Sequence, residues 1–263
     1  MRTLASIWRN RPLIASMTRR DLAARYRGSF GDALWAVWNP LLQMATYYFV
    51  FGVVLQTRFP GYEGKSGYAF YLIAGMLPWL AISEALSRAP SAMIENRYLV
   101  KKTVFPFEIV AVEQMLAALV TQAIGTAIFL VGQVLFLGPP KWTLLWLPVL
   151  LIPQMLLILG ASWALSALGV FLRDLIQMIG PVLMLVFYAS PICYPESVAP
   201  PSLAAWFQIN PVAILVRGWR NALLDGRSPD WAPLAGITLF ALILFAAGLR
   251  LFEKLRRSFA DVL

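Results

Sequence analysis

The stretch from residue 19 to residue 40, RRDLAARYRGSFGDALWAVWNP, passes from strongly charged to uncharged within a few residues. Six of its first fourteen residues carry a charge, and no Asp, Glu, Lys or Arg then appears until Arg58. An uncharged helix of this length can cross about 30 Å of hydrocarbon. Trp35 and Trp38 stand where the run begins, as tryptophan does at membrane surfaces. The stretch therefore predicts a membrane span over 33–57, entered from a basic segment at the headgroup level.

The composition of the whole chain favours the same interpretation. Its 263 residues are 60% hydrophobic and only 13% charged, whereas a soluble domain has about 25% charged residues. A soluble fold of this length could not remove so much apolar surface from water. We therefore expect an integral membrane protein.

Six runs in the chain contain no charged residue for at least the length of a span: 33–57, 66–83, 114–140, 142–172, 175–195 and 231–249. The alternating pattern of a β-barrel is missing, so each run is predicted to be helical. We predict an all-α membrane protein with an interfacial segment over 1–30 and a six-span domain over 31–257. The predicted spans are 33–57, 68–94, 109–137, 142–172, 175–195 and 231–252.

The basic residues are distributed unevenly between the two sides of this six-span arrangement. Sixteen of the 22 Lys and Arg residues fall on the side that carries both chain termini. Because cytoplasmic loops carry the excess of positive charge, both termini are predicted to be cytoplasmic. This distribution accounts for the net charge of +9 without a nucleic-acid partner.

Several kinds of active site are excluded by residue type. The chain has no histidine and a single cysteine, Cys193, which excludes His-based catalysis and cysteine metal clusters. The segment GYEGKS at 61–66 resembles a phosphate-binding loop, but Phe59 occupies the position where that loop requires glycine. We expect a chain that is not an enzyme, with no cofactor, metal or nucleotide site of its own.

A short basic loop over 95–106, ENRYLVKKTVFP, is predicted on the cytoplasmic side. Its apolar side chains are costly to expose to water, which indicates a docking surface for another protein. The candidate contact residues are Arg97, Tyr98, Leu99, Lys101, Lys102 and Phe105.

The segment over 198–225 contains a helix too short to cross a membrane. Its apolar residues, among them Trp219, recur at helical spacing, while Arg217 and Arg220 are predicted on the opposite face. We expect this helix to lie on, or dip into, the outer leaflet.

Four stretches of the chain resemble the ABC-2 type membrane subunits that export cell-surface polysaccharides. They are RDLAARYRGSFGDALWAVWNPLL, AGMLPWLAISEALSRAPSAMIENRYLVKKTVFPFE, GVFLRDLIQMIGPVLMLVFYASPICYP and NPVAILVRGWRNALLDG. They occur in the same order as in the family, and the resemblance runs along nearly the whole length of the chain.

The resemblance implies a six-span half-transporter of a bacterial inner membrane that works as a homodimer. Two separate cytoplasmic ATPase subunits would bind ATP and Mg, and the loop over 95–106 would be the coupling element that rests on them. The short helices over 198–225 would be re-entrant elements facing the periplasm. The implied substrate is a lipid-linked glycan, such as an O antigen or a capsular polysaccharide, which periplasmic or outer-membrane components could receive.

Aromatic rings bind sugars through many weak contacts, which suits a polymer that must slide. The candidate conduit residues are Tyr47, Tyr48, Phe51, Tyr71, Trp79, Phe187 and Tyr188. The alternative for each ring is a lipid-facing or packing position. Arg25 and Arg27 are candidates for contacts with a lipid phosphate, the alternative being ordinary topology signals.

Two other functions remain open from the sequence. One is export of a drug or small lipid by the same architecture. The other is a membrane enzyme or scaffold of glycan assembly, although the few acidic residues near the spans do not form the paired carboxylates that such enzymes use.

Overall fold

A computed structural model describes residues 2–26, 34–54, 65–100 and 105–262, and the regular elements in these ranges are all helical. The α-helices are α1 (Arg2–Arg9), α2 (Arg11–Tyr26), α3 (Leu34–Tyr47), α4 (Lys65–Arg88), α5 (Ala92–Glu95), α6 (Arg97–Val100), α7 (Glu108–Phe136), α8 (Leu147–Phe171), α9 (Asp174–Tyr188), α10 (Ala204–Ile209), α11 (Pro211–Arg220), α12 (Trp231–Leu255) and α13 (Phe259–Val262). α3 continues as the π-helical segment Tyr48–Val54, and α11 as Asn221–Asp225. The predicted all-α class is confirmed for these ranges.

Four helical stretches of the described residues are long and apolar enough to cross a membrane. They are Gly67–Glu95, Glu108–Phe136, Trp142–Phe171 and Trp231–Ser258. α9 is also apolar but has only 15 residues, about 22 Å of helix. The helix is therefore shorter than the predicted fifth span, 175–195. It ends at Tyr188 because the chain turns at 189–193, where Pro191 cannot continue a helix.

Proline and glycine set several helix boundaries. α2 begins at Arg11 with Pro12 in its first turn, where a missing N–H costs nothing. At α11 the side chain of Asn210 accepts hydrogen bonds from Val212 N and Ala213 N, which satisfies the first backbone donors of the helix. The π-helical segment after α11 ends at Gly226, whose φ of 68° is left-handed.

α8 and α12 pack along each other through glycines. A Cβ atom added at Gly248 would lie 2.0 Å from the carbonyl oxygen of Gly160, and one added at Gly160 would lie 2.6 Å from backbone atoms of α12. The two backbones therefore touch where both residues lack a side chain. Such close approach through small residues is the usual basis of helix association in membranes, where no hydrophobic effect drives it.

The buried apolar residues form two clusters. The larger one surrounds α4, with Leu72, Met76 and Leu77 fully buried, and it includes Leu215 and Val216 of α11. The smaller one, which we call the second cluster, joins α2, α5, α7, α8, α12 and α13; it contains Ile14, Met17, Ala92, Met93, Ile109, Val110, Ala111, Val112, Trp163, Ala167, Val170, Phe252 and Phe259.

Polar contacts tie the helix ends around the second cluster. Arg88 at the end of α4 donates two hydrogen bonds to the carboxylate of Asp21 in α2, at 2.7 and 2.9 Å. Arg256 contacts Glu108 of α7 at 3.3 Å, and the hydroxyl of Thr3 donates to Glu253. The N-terminal helices are thus fastened to the spans by side chains as well as by apolar packing.

Candidate functional site

A cavity of about 670 Å³ lies between α3, α4, α7 and α9. Its wall is formed by Gln43, Tyr47, Trp79, Leu80, Ser83, Glu84, Ser87, Thr121, Gly180, Leu183, Met184, Phe187 and Tyr188. The volume falls within the range of ordinary ligand pockets.

Four of the seven predicted conduit aromatics meet at this cavity. The ring of Phe187 lies 4.9 Å from that of Tyr47, 5.6 Å from that of Trp79 and 5.1 Å from that of Tyr188, between centroids. Trp79 and Phe187 are buried, whereas Tyr188 is 47% exposed. The four rings therefore form one continuous aromatic surface contributed by α3, α4 and α9.

Besides apolar residues such as Leu80, Leu183 and Met184, the cavity wall has a polar part that the predictions from sequence did not include. The polar part consists of Gln43, Ser83, Glu84, Ser87 and Thr121. The hydroxyls of Ser83, Ser87 and Thr121 donate to carbonyls of their own helices at 3.0–3.3 Å, which leaves their oxygens as acceptors. A sequence signal for this polar part exists: Trp79, Ser83 and Ser87 follow at intervals of four residues, which places them on one face of α4.

The other three predicted conduit aromatics do not line this cavity. Tyr48 stacks on Tyr68 at 6.2 Å between ring centroids, in the larger apolar cluster. Tyr71 holds the guanidinium of Arg220 against its ring. The side chain of Phe51 lies outside the described residues.

Arg220 departs from its predicted position on the polar face of α11, because it is only 5% exposed. Its guanidinium donates to the carbonyl oxygens of Tyr71 at 3.2 Å, Pro191 at 2.7 Å and Ile192 at 2.6 Å, and to the Tyr71 hydroxyl at 3.0 Å. Burial lowers its pKa below the ordinary value, but arginine stays protonated in proteins. The charge is accommodated because backbone carbonyls surround it.

The two other candidates on α11 behave differently from each other. Arg217 is partly exposed and donates three hydrogen bonds of 2.9–3.0 Å to Glu196 and one of 3.3 Å to Gln208. Trp219 is buried in the larger apolar cluster. α11 is therefore packed on most of its circumference, and Arg217 marks the side that faces out.

The predicted coupling loop begins in α5 and α6. Tyr98 is 51% exposed, and Phe105 packs on Phe107 with ring centroids 5.9 Å apart. Arg97 is exposed on α6. The side chain of Leu99, and the residues Lys101 and Lys102 entirely, lie outside the described residues.

The predicted phosphate contacts are not placed by the structure. The side chain of Arg25, in α2, and the whole of Arg27 lie outside the described residues. Within the ranges that the structure describes, His, Cys, Asp and Glu do not gather in groups of three or more that could hold a metal ion.

The chain matches the sequence family described as ABC-2 type transporter over residues 12–224. This match includes the cavity, the start of the coupling loop and α11. The described helices long enough to span a membrane, taken with this match, make the chain a multi-pass membrane protein.

Individual relatives are similar over almost their whole length. The O-antigen export system permease protein RfbA of Myxococcus xanthus is 29% identical, over 99% of each chain. The protein of that name from Klebsiella pneumoniae is 29% identical over 95% of each chain. The polysialic acid transport protein KpsM of Escherichia coli is 20% identical, over 91% of this chain and 92% of its own.

Proposed function

The chain belongs to the ABC-2 type transporter family, and on that premise we propose that it is the membrane-spanning subunit of an ATP-driven exporter of a lipid-linked cell-surface polysaccharide. The relatives named for O-antigen export and polysialic acid transport support this substrate class. O antigen and capsular polysaccharide are the two forms of glycan that these names suggest.

The observation that carries the proposal is the composition of the cavity wall. Sugars present C–H faces, which stack on aromatic rings, and hydroxyls, which donate hydrogen bonds. The wall offers the ring surface of Tyr47, Trp79, Phe187 and Tyr188 beside the hydroxyl oxygens of the polar side. Weak contacts of both kinds let a polymer advance without binding tightly at one register.

We propose that the chain crosses the bacterial inner membrane six times, with both termini in the cytoplasm. The charge distribution supports this topology. In this arrangement α3 with its π-helical continuation forms the first span, and α9 forms a short fifth span completed by the turn at 189–193. α10 and α11 then lie on the periplasmic side.

A second copy of the chain and two ATPase subunits complete the proposed transporter. ATP and Mg belong to the ATPase subunits, and the loop over 95–106 contacts them. The exposure of Tyr98 supports this contact, as does the position of α5, which packs on the second cluster and so holds the start of the loop in place. Arg25 and Arg27, at the proposed cytoplasmic surface, would attract the phosphate of the lipid anchor.

Deletion of the gene in the native host tests the function. We expect completed glycan to accumulate in the cytoplasm and to disappear from the cell surface, and the intact gene to restore both. Export of a drug or small lipid instead predicts normal surface glycan in the deletion strain. A membrane enzyme of assembly predicts incomplete glycan.

A further inference from the structure

We infer that Arg220 is a positioning residue for transport: it fastens α11 to α4 and to the chain leaving α9, so that these three elements move as one unit. This inference rests on the proposed function for its meaning, but it is carried by contacts around one buried side chain. We call these contacts the Arg220 clamp, formed by Arg220, Tyr71, Pro191 and Ile192.

The geometry of the clamp uses every nitrogen of the guanidinium. Nε donates to the carbonyl of Tyr71, Nη1 to that of Pro191 and to the Tyr71 hydroxyl, and Nη2 to that of Ile192. The carbon of the guanidinium also lies 3.7 Å from the centre of the Tyr71 ring. Hydrogen bonds from a charged donor are roughly twice as strong as neutral ones, and a planar fork fixes the directions of its partners.

α4 is shaped to receive the guanidinium. A Cβ atom added at Gly75 would lie 2.4 Å from Nη2 of Arg220. Because Gly75 has no side chain, the guanidinium can rest directly against the helix one turn after Tyr71. Arg220 therefore fits α4 only while residue 75 is glycine.

A second set of contacts holds the same end of α9. Trp206 and Asn210 both donate to the carbonyl of Ala189, at 2.9 and 3.3 Å. Asn210 at the same time caps α11. The carbonyl of Ala189, which has no helical partner at the end of α9, is thus bound by the segment that carries α11.

The clamp lies next to the cavity, near the beginning of α4 and just after the end of α9. Tyr71 precedes Trp79 by eight residues in α4, and Pro191 follows Phe187 by four residues at the end of α9. Trp79 and Phe187 contact each other in the cavity wall, with ring centroids 5.6 Å apart. A unit that keeps the ends of α4 and α9 at a fixed separation also keeps this aromatic pair together, so the cavity must widen elsewhere, between this unit and α3.

Cys193 provides a built-in probe, since it is the chain's single cysteine, is 2% exposed and adjoins Ile192 of the clamp. We would measure its modification by N-ethylmaleimide in the complex of this chain with its ATPase subunits, with and without ATP turnover. The wild-type cysteine is expected to stay protected in both conditions. Faster modification of the wild type during turnover would overturn the inference, because the clamp would then open in each cycle.

Arg220→Met removes the hydrogen bonds but keeps an apolar stem of similar length. We expect at least about tenfold faster modification of Cys193, the scale set by loss of a buried charged hydrogen bond, and a further increase during ATP turnover as α4 and α9 move separately. An equal increase with and without ATP would assign Arg220 a purely structural function and overturn the inference. Arg220→Lys should give an intermediate rate, because an ammonium lacks the fork.

Two further variants make the test independent of Arg220 itself. Gly75→Ala should expose Cys193 as Arg220→Met does, since its methyl group displaces the guanidinium. Arg227→Met, at an exposed position shortly after the same helix and outside the clamp, should leave the modification rate unchanged. Absence of polysaccharide transport by the wild-type complex would refute the proposed function alone, because cysteine modification measures only local opening.

Discussion

Tyr188 joins the aromatic surface of the cavity while keeping about half of its side chain exposed. Its ring packs edge-on against Phe187, and its backbone carbonyl, not its hydroxyl, accepts the hydrogen bond from Tyr194. The side chain can therefore be shortened without disturbing the turn after α9, which makes it the best position at which to test sugar stacking.

We expect Tyr188→Ala to lower polysaccharide export by up to about tenfold, since an aromatic contact contributes about 0.5–1.5 kcal/mol. Tyr188→Phe should keep most of the export because it keeps the ring. Leu185→Ala, at a 70% exposed position of α9 outside the cavity wall, is the matched control and should export normally. Surface glycan measured at equal protein levels decides; full export by Tyr188→Ala would remove this ring from the conduit.

The ion pair of Arg88 with Asp21 links two residues far apart in sequence, at the end of α4 and in α2. Both side chains are less than one third exposed, so the pair should contribute about 1 kcal/mol to stability. Its larger effect is positional, because Arg88 immediately precedes the 3-10 turn that leads to α5.

We expect Arg88→Met to leave the chain inserted but to lower the amount of glycan exported per ATP hydrolysed. Reversing the pair, with Asp21→Arg and Arg88→Asp together, should restore much of the ratio. Arg19→Met, at an exposed position of α2, serves as control. An unchanged ratio in Arg88→Met would show that the tie between α2 and α4 does not matter for coupling.

At the scale of elements, α8 and α12 offer a direct test of close helix packing. Gly248→Ala would place its methyl group 2.0 Å from the carbonyl oxygen of Gly160, which forces the helices apart and should cost about 1–3 kcal/mol. Gly236→Ala in the same helix meets no atom within 4 Å and should be neutral or slightly stabilising. Thermal unfolding in detergent compares the two; equal midpoints would contradict the contact.

The predicted coupling loop, 95–106, is the second element that substitutions can test. Exposed Tyr98 is expected to insert into a cleft on the ATPase, where such anchors contribute about 1–3 kcal/mol each. Tyr98→Ala and Leu99→Asp should leave the chain inserted yet abolish export, with loss of ATPase co-purification or of coupling. Lys102→Ala should be milder, because a rim charge contributes less. Wild-type export by Leu99→Asp would exclude this loop from coupling.

The sequence predicts where a residue lies along its helix, but not which neighbouring helix its side chain meets. Tyr47, Trp79 and Phe187 could be placed within their helices from sequence alone, because charge boundaries mark where a span begins. Which face of each helix meets its neighbours could not be placed, since hydrophobic residues surround these helices on all sides. Tyr48 and Tyr71 were therefore assigned to the conduit although they pack elsewhere.

Arg220 was likewise assigned to the wrong face of its helix: the sequence pattern predicted that it faces out, and the structure buries it. An amphipathic pattern assumes that charged residues face water, and this placed Arg220 beside Arg217. The carbonyls that bind it come from residues 28, 29 and 149 positions away, and no local pattern predicts such partners. The serine and threonine oxygens of the cavity were missed for a related reason: hydroxyls in apolar helices usually bond only to their own backbone.

At the scale of the whole molecule, the two apolar clusters divide the chain into a layer that holds the cavity and a second layer that holds α2 and α5. α4 belongs to the first cluster along its length and reaches the second through Arg88 and the turn that follows. A force applied at α5 would therefore reach the cavity through α4, which carries Trp79, Ser83 and Ser87. The proposed six-span topology requires the predicted coupling loop and α11 to lie on opposite sides of the membrane.

That requirement is the last prediction. In a Cys193→Ser background, a cysteine at position 228, exposed in the segment between α11 and α12, should react with a membrane-impermeant maleimide added to right-side-out membrane vesicles. A cysteine at position 4 should react only after the vesicles are opened, because the 16 basic residues on its side keep it in the cytoplasm. Both cysteines are introduced into the same background and treated with the same reagent. Labelling at one position therefore serves as the control for expression and thiol reactivity at the other. If both were labelled from outside, an even number of spans would lie between them, and the proposed topology would be wrong.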